Sequence, residues 1–320
     1  MEGDQEFLVV RQLFTNWLLL LVMYVLSKFG FSVKLRAKVN DCVFEVNRDV
    51  FERLISRFSR VRIKSIRCVN GRLLVNNVEV DNISDLIYNL EIWAKVLGWR
   101  YDSSCGCWVK GNARFKRIYY PLIEVFDYGE YDFIDVGGRD VVDVSAFVGD
   151  TAIYFALRGA KSVIAIEPHP KAYEEMVENI RLNGLEEVIT PVNAGLASSS
   201  GRICIEDDDV NRAGGAYYKL GECVKVVPAV TLADIREKFN IGHEAVLKMD
   251  CKGCEFDVIL NDYENVKMFK ELVFEYHLHM FDRLLSKLQG VLTKDYYCRI
   301  VKEHSKNLGI NTAEGCRKPV

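Results

Sequence analysis

Residues 141–168 hold the side chains whose types and spacing could do chemistry. An apolar run at 141–144 predicts a strand, and a turn of small residues then leads into a helix that begins near Gly149. A second apolar run, 162–166, ends on the carboxylate Glu167. In a parallel α/β sheet such a turn lets backbone N–H groups approach a nucleoside, and the acid accepts hydrogen bonds from two ribose hydroxyls. The pattern predicts an adenosine-like ligand with Glu167 as its ribose acceptor.

The turn at 143–149 indicates which nucleoside cofactor binds. A dinucleotide site needs G-x-G-x-x-G so that the pyrophosphate can approach the helix N-terminus. This turn reads DVSAFVG, with one glycine, a bulky Phe147 and a leading Asp143 that would repel a pyrophosphate. The carboxylate suits the ammonium group of S-adenosylmethionine, which carries a sulfonium cation and no phosphate. The turn therefore favours a methyl donor over NAD, and a structural βαβ unit without a cofactor is the alternative.

Further motifs follow in register along the chain. Residues 246–260 begin with a short apolar strand that ends on Asp250, and Gly253 and Glu255 then open a helix. A capped helix start lies upstream at 231–235, and another strand ends at 274–277. Together they resemble the FkbM family of S-adenosylmethionine-dependent methyltransferases, with its V-D-x-G-A-x-x-G-D-T, I-E-P, T-L-x-D and L-K-[IM]-D-x-x-G-x-E patterns. The resemblance covers roughly residues 120–300. The matching residues are Val142, Asp143, Gly149, Asp150, Thr151, Ile166, Glu167, Pro168, Thr231, Leu232, Asp234, Leu247, Lys248, Met249, Asp250, Gly253 and Glu255.

The chain departs from the family pattern at two places. Ser145 stands where the family has glycine, and at a position with positive φ a serine is strained by about 1 kcal/mol. Lys252, between Cys251 and Cys254, stands where the family commonly has an acid. Either change would weaken cofactor binding or shift the substrate, without removing the resemblance.

The resemblance and the strand ends imply a set of site residues, which converge because ligands lie beyond the carboxyl ends of parallel strands. The expected cofactor-binding residues are Asp143, Ser145, Ala146, Gly149, Asp150, Thr151, Glu167, Pro168, Asn193, Ala194 and Asp250. For Asp150 and Thr151, capping of the following helix is the alternative.

Methyl transfer mainly needs alignment, and an alcohol acceptor also needs a base. The predicted catalytic residues are His277, Asp250 and Glu275, and a structural histidine is the alternative for His277. No metal is predicted.

Composition sets limits on partners and compartment. The chain has 320 residues and a net charge of −3, which excludes a globally basic nucleic-acid binder. An excess of basic residues between Lys28 and Glu79 suggests either a surface for anionic lipids, glycans or nucleic acid, or solvated outer faces of ordinary elements. The acidic N-terminus lacks the basic region of a signal peptide, so the ten cysteines are expected to be reduced and the protein cytoplasmic.

The apolar run at 17–26 is too short for a membrane-spanning helix, which needs about 20 apolar residues. A core helix or an interfacial helix is expected instead, and peripheral contact with the inner face of a membrane through 13–38 is the second possibility. A turn at Asn70-Gly71 predicts a hairpin, and 82–97 predicts an amphipathic helix.

Alternation of strands and helices from Asp140 onward predicts a doubly wound, mostly parallel, Rossmann-like α/β sheet of the class I methyltransferase kind. The expected domains are an accessory helix-plus-strand region at 1–118, a methyltransferase domain at 119–306 and a C-terminal tail at 307–320.

The resemblance implies methylation of a hydroxyl on a sugar, glycan or natural product, with S-adenosylmethionine as donor and no specific nucleic acid as partner. The alternatives are a catalytically idle binding module, which Ser145 keeps open, and a nucleic-acid methyltransferase. The absence of an N-P-P-Y-like tetrad counts against the latter. An NAD-dependent oxidoreductase comes last, and the oligomeric state is open.

Overall fold

The computed structural model describes residues 2–31, 33–205, 209–210, 225–251, 253–277, 286–303 and 311–318. The chain divides into two compact units. The first comprises Met1–Lys110 with Arg117–Gly129, and the second comprises Gly111–Lys116 with Glu130–Val320. The domain boundary expected from the sequence, at 118–119, lies inside Arg117–Gly129, the segment by which the chain returns to the first unit.

The first unit is built of short helices and antiparallel strand pairs. The hairpin predicted at Asn70-Gly71 is confirmed, whereas the helix predicted at 82–97 is divided in two. The break lies at Asn89, which adopts an extended conformation and accepts a hydrogen bond (3.1 Å) from the Ile92 backbone N–H. The elements are α1 (Glu2–Leu13), α2 (Trp17–Lys28), β1 (Leu35–Val39), β2 (Cys42–Val46), α3 (Arg48–Arg60), β3 (Ile66–Val69), β4 (Arg72–Val75), β5 (Val78–Val80), α4 (Asp85–Tyr88), α5 (Leu90–Val96), β6 (Arg100–Asp102), β7 (Cys107–Lys110) and α6 (Tyr120–Phe126).

The second unit alternates strands and helices, as the sequence predicts. A further helix covers 286–292. The other elements are β8 (Ala113–Phe115), β9 (Asp140–Val144), α7 (Asp150–Leu157), β10 (Ser162–Ile166), α8 (Pro170–Asn183), β11 (Ile189–Val192), β12 (Gly195–Leu196), β13 (Gly201–Ile205), β14 (Lys225–Val230), α9 (Leu232–Phe239), β15 (Val246–Met249), α10 (Cys254–Asn261), α11 (Tyr263–Val266), β16 (Glu271–His277), β17 (Tyr297–Glu303) and β18 (Asn311–Arg317).

A seven-stranded sheet forms the centre of this unit, with the order β11-β10-β9-β15-β16-β18-β17. Strand β9 pairs in parallel with β10 and β15, and β15 pairs in parallel with β16. Strand β18 is antiparallel to both of its neighbours. Numbered along the chain, the sheet strands follow the order 3-2-1-4-5-7-6. The predicted doubly wound, mostly parallel, Rossmann-like sheet is therefore confirmed.

The apolar runs that predicted the central strands are buried on both faces, as parallel sheets require. Val141, Val142 and Leu247 are fully buried in the core. Because β9, β10, β15 and β16 run in the same direction, their carboxyl ends meet at one edge of the sheet. That edge carries the polar residues that follow each strand.

The expected C-terminal tail at 307–320 is wrong for its central part, since residues 311–317 form β18 inside the sheet. Its sequence, NTAEGCR, has no apolar alternation that would predict a strand. The strand is hydrogen-bonded on both sides, to β16 and to β17, and backbone pairing therefore replaces the missing apolar pattern.

The expectation of reduced thiols is also wrong. Disulfides join Cys42 to Cys68, Cys105 to Cys107, Cys251 to Cys254 and Cys298 to Cys316. The last of these pairs residues that lie directly opposite each other on neighbouring strands. Distances between cysteines depend on strand register and on the packing of separate elements, which a count of cysteines does not contain.

Among the helices that the structure describes, none combines the length and the apolar character needed to cross a bilayer.

Candidate functional site

The turn after β9 departs from ordinary backbone geometry. Ser145 and Phe147 both adopt left-handed conformations, with φ of 58° and 48°. This conformation costs an L residue about 1–2 kcal/mol, so the strain expected for serine at the family's glycine position is present. The Ala146 N–H donates to the Ile166 carbonyl (3.1 Å), which fixes the turn against the end of β10. Strain of this kind collects at ligand sites, where the surrounding structure holds it in place.

Lys248 holds the turn from the neighbouring strand β15. Its Nζ atom lies 2.9 Å from Oδ1 of Asp143, and both side chains are buried. The same amine donates to the carbonyls of Val144 and Ser145, each at 3.2 Å. The other carboxylate oxygen of Asp143 accepts a hydrogen bond from Thr151 Oγ1 (2.5 Å). In this arrangement Asp143 holds the turn through Lys248 and Thr151, and the contact with the cofactor's ammonium group that the sequence suggested for it stays a prediction.

Burial acts to lower the pKa of the Lys248 amine, but the carboxylates of Asp143 and Asp250 outweigh burial and raise that pKa. Lys248 therefore stays charged and serves as the cation around which the acids of the site gather.

Glu167 follows β10, and its carboxylate binds the backbone of both the turn after β9 and the segment before α8. Its Oε2 accepts a hydrogen bond from the Phe147 backbone N–H, and its Oε1 accepts one from the His169 backbone N–H, both at 2.8 Å. A carboxylate offers about four lone-pair positions, so two remain for ribose hydroxyls. Burial raises the pKa of Glu167 to about 8, against the opposing effect of these two backbone donors.

Helix α7 begins directly after the turn. Gly149 has φ of 88°, and a Cβ atom there would lie 3.1 Å from Cγ of Met176 on α8, so this glycine permits close helix packing. Asp150 is buried, and its Oδ1 accepts no hydrogen bond from any described residue. Burial raises its pKa to about 7. The N-cap residue of α7 is Gly149, which has no side chain, and the backbone N–H of Asp150 itself bonds to the Asp150 carboxylate, so capping of the first turn stays the alternative role for Asp150.

Residues after β11 complete this side of the edge. The side-chain amide of Asn193 donates to the carbonyls of Glu167 (2.9 Å) and Pro168 (3.4 Å). Ala194, the next residue, is buried. The Asn193 side chain therefore joins the end of β11 to Glu167 and Pro168 at the end of β10, as expected for residues at the carboxyl ends of neighbouring parallel strands. Ala194 contributes a small buried side chain.

A second group of acids lies at the ends of β15 and β16. Burial raises the pKa of the Tyr131 phenol well above its ordinary value, and the carboxylates of Asp250 and Glu275 raise it further. Lys248 lies over the Tyr131 ring, with Nζ 5.7 Å from the centroid. Because Met249 pairs with Phe274 in the parallel register, Asp250 and Glu275 follow at the same level of the two strands. His277 ends β16, and its side chain lies outside the described residues.

The first turn of α10 holds a further buried acid. Glu255 accepts a hydrogen bond from the Gly253 backbone N–H (2.9 Å), and its pKa is raised to about 7 by burial. Its Oε2 lies 3.1 Å from Sγ of Cys251. The Cys251, Cys254 and Glu255 side chains cluster as metal ligands do. Metal binding requires thiolates, however, and here the sulfurs form a disulfide. Lys252 lies outside the described residues.

The charges of the site fit S-adenosylmethionine. Among the described residues, Lys248 is the one buried cation, and the carboxylates of Asp143, Asp250 and Asp150 all act on it, so acids outnumber bases in the described part of this edge. Such a site attracts a ligand with sulfonium and ammonium groups and repels a pyrophosphate. The buried Oδ1 of Asp150 also remains available to a donor such as an amine.

Two residues of the candidate site were not singled out by the sequence analysis. Lys248 stood within the family-like motif, yet the motif does not reveal that its amine reaches Asp143 on another strand. Tyr131 precedes the first sheet strand and belongs to no motif. A lysine inside an otherwise apolar strand, VLKM, is the one signal that could have identified Lys248, because a lysine buried without a partner is too costly.

The strand order and the acid-lined edge define a Rossmann-like, S-adenosylmethionine-dependent methyltransferase. Residues 135–296 match the family model of the methyltransferase FkbM domain. The chain therefore belongs to the FkbM methyltransferase family, as the sequence motifs indicated, and its cofactor is S-adenosylmethionine.

Curated protein sequences contain no significant match to this chain. Solved structures to which this chain is similar include M. capricolum TrmK with S-adenosylhomocysteine, at 10% identity and a TM-score of 0.39, over 63% of this chain and 69% of that chain. M. jannaschii TYW2 with AdoMet has 18% identity and a TM-score of 0.39, and the match covers 69% of this chain and 86% of that chain. A putative rRNA-methylase from Clostridium thermocellum has 11% identity and a TM-score of 0.41, and the match covers 60% of this chain and 94% of that chain.

Proposed function

We propose that this methyltransferase transfers its methyl group to a hydroxyl oxygen of a sugar, glycan or natural product. The observation that carries the proposal is the strand register: Met249 of β15 pairs with Phe274 of β16, so the carboxylates of Asp250 and Glu275 follow at the same level of two adjacent parallel strands. An alcohol loses a proton when its oxygen is methylated, and a nearby carboxylate can accept that proton. The family resemblance supplies the substrate class.

The chain's residues divide into two groups. Glu167 accepts the ribose hydroxyls of the cofactor, while Asn193, Pro168 and Ala194 form the adjoining side of that subsite. Asp150 faces the methionine amine, and Asp143 and Thr151 hold the turn of Ser145, Ala146 and Gly149 in place. When bound, S-adenosylmethionine supplies an electrophilic methyl group.

Asp250 is the proposed base, because it follows β15 beside the cofactor turn. Its backbone N–H lies 3.4 Å from the Val144 carbonyl. Glu275 and His277, at the end of β16, are the other predicted catalytic residues and remain proposals. Since methyl transfer is a direct displacement, positioning supplies most of the acceleration and the base adds about 10²–10⁴-fold.

The test is an assay of Asp250→Asn against the matched variant Asp140→Asn. Asp140 lies at the opposite, amino end of β9, where it pairs with Lys161 (3.2 Å) and Ser162 (2.7 Å). With labelled S-adenosylmethionine and a panel of sugars and glycans, we expect Asp250→Asn to lose about 10²-fold or more in turnover. It should keep its affinity for S-adenosylhomocysteine, and Asp140→Asn should stay active.

Three outcomes would contradict the proposal. Methyl ethers formed equally well by Asp250→Asn would remove Asp250 as the base. Methyl incorporation into RNA, with none into sugars or glycans, would favour the nucleic-acid alternative. Tight cofactor binding without turnover on any acceptor would favour the binding module.

A further inference from the structure

Helix α2 presents an apolar stripe to solvent. Leu18, Val22, Val25 and Phe29 recur at spacings of four, three and four residues, which places them on one side of the helix. Leu19 and Leu26 flank this line. All six are exposed, from 37% for Leu26 to 78% for Phe29, and Phe31 in the following loop is 61% exposed. Contiguous apolar side chains of this kind mark contact sites.

The opposite side of α2 is fixed within its own unit, so the stripe cannot turn inward. Leu20 is fully buried. The Tyr24 ring packs against Phe51 of α3, with centroids 5.1 Å apart, and its hydroxyl donates to Glu52 (2.9 Å). The stripe is therefore a stable surface of the folded unit.

Basic side chains adjoin this apolar stripe. Lys28 ends the helix and lies over the Tyr24 ring. Strand β1 lies beside the start of α2. The Asn16 side chain, which precedes the helix, donates to the Arg36 carbonyl (2.7 Å) and accepts from the Lys38 backbone N–H (2.9 Å). Residues 28–46 contain four basic side chains against two acidic ones, Asp41 and Glu45. Lys34 and Arg36 form ion pairs with the exposed Glu45, so part of the positive charge is balanced.

The length of the stripe limits the partner. A helix of 12 residues is about 18 Å long, well short of the hydrocarbon core of about 30 Å. Exposed apolar side chains with basic residues beside them are instead suited to the boundary between anionic headgroups and acyl chains. We propose that α2 and the loop after it, residues 17–31, dock on an anionic lipid bilayer, with Lys28, Lys34, Arg36 and Lys38 at the headgroups.

The test is co-sedimentation of the full chain with vesicles, either pure phosphatidylcholine or phosphatidylcholine mixed with phosphatidylglycerol. The variant is Val22→Glu, and the matched control is Val226→Glu. The two valines have nearly equal exposure, 54% and 55%, but Val226 lies on β14. We expect binding to the mixed vesicles that weakens with added salt. Val22→Glu should weaken it by about tenfold or more, because a carboxylate replaces an inserted apolar group. Val226→Glu should bind as the wild type does.

Several results would overturn the proposal. These are no binding to the mixed vesicles, equal binding by Val22→Glu and the wild type, or binding that does not depend on phosphatidylglycerol. A wild-type dimer in solution that Val22→Glu converts to a monomer, without vesicle binding, would show that the stripe contacts a second copy instead. Vesicle binding needs no methyl transfer, so this test and the test of the proposed function fail independently.

Discussion

Replacement of Lys248 by methionine should strongly destabilise the cofactor turn. The substitution keeps the length of the side chain but leaves the buried carboxylate of Asp143 without its cation, which lies 2.9 Å away in the native chain. Both side chains are almost fully inaccessible, at 2% and 0% exposure. Removal of one partner from a buried pair costs about 3–5 kcal/mol, because the remaining charge is uncompensated.

The matched control is Lys161→Met, which breaks a pair of similar length whose acid, Asp140, also lies on β9. Lys161 lies 3.2 Å from Asp140, but its side chain is 66% exposed. An exposed pair contributes about 0–1 kcal/mol, so burial alone separates the two variants. The double variant Asp143→Asn/Lys248→Met removes both charges and should recover most of the loss, since replacement of a whole buried pair is often neutral.

Urea unfolding followed by far-ultraviolet circular dichroism measures the free energies of unfolding, and calorimetry with S-adenosylhomocysteine measures the effect on the turn. Because Lys248 also binds the carbonyls of Val144 and Ser145, we expect Lys248→Met to bind the nucleoside at least tenfold more weakly. If Lys248→Met were no more destabilising than Lys161→Met, or if the double variant were worse than the single one, the buried-pair reasoning would be refuted.

Three further predictions follow from the geometry. Burial raises the pKa of Glu167 to about 8 and those of Asp150 and Glu255 to about 7, so the folded chain binds more protons than the unfolded chain above the ordinary carboxyl range. Stability should therefore fall as the pH rises from about 5 to about 8, and a thermal midpoint that rises over this window would contradict the assignment. Because Ser145 already carries a left-handed cost of about 1–2 kcal/mol, Ser145→Gly should be at least as stable as the wild type and the β-branched Ser145→Val less stable, as urea unfolding would show; equal stabilities of the three would argue against strain there. Loss of the disulfide between Cys42 and Cys68, which are 26 residues apart, in a Cys42→Ser/Cys68→Ser variant should cost about 3–4 kcal/mol, and a thiol titration that finds all cysteines free in the unreduced wild type would exclude the bond.

The sheet and much of the site could be predicted from local patterns. Val141–Val144 and Val246–Met249 are apolar runs of strand length, and each ends on an acid or leads into a glycine-containing turn, so their order and direction follow from short-range signals. The capping box of Thr231 and Asp234 is likewise local, and the structure confirms it.

The features that the sequence did not predict depend on contacts between distant segments. The Lys248–Asp143 pair joins neighbouring strands that are far apart in the chain, and the contact of the Lys248 amine with the Tyr131 ring depends on packing. Strand β18 is held by backbone pairing on both sides, which leaves no apolar pattern. The disulfide of Cys298 and Cys316 follows from the register of that same strand.

Calorimetric titration with S-adenosylmethionine, S-adenosylhomocysteine and NAD tests the central claim most directly, in the wild type and in Glu167→Ala and Glu167→Gln. The account predicts micromolar binding of both methionine-derived nucleosides, loss of binding in Glu167→Ala, partial retention in Glu167→Gln, which keeps one acceptor oxygen, and no binding of NAD. Preferential binding of NAD, or wild-type affinity in Glu167→Ala, would contradict the placement of a methyl-donor site at this edge of the sheet.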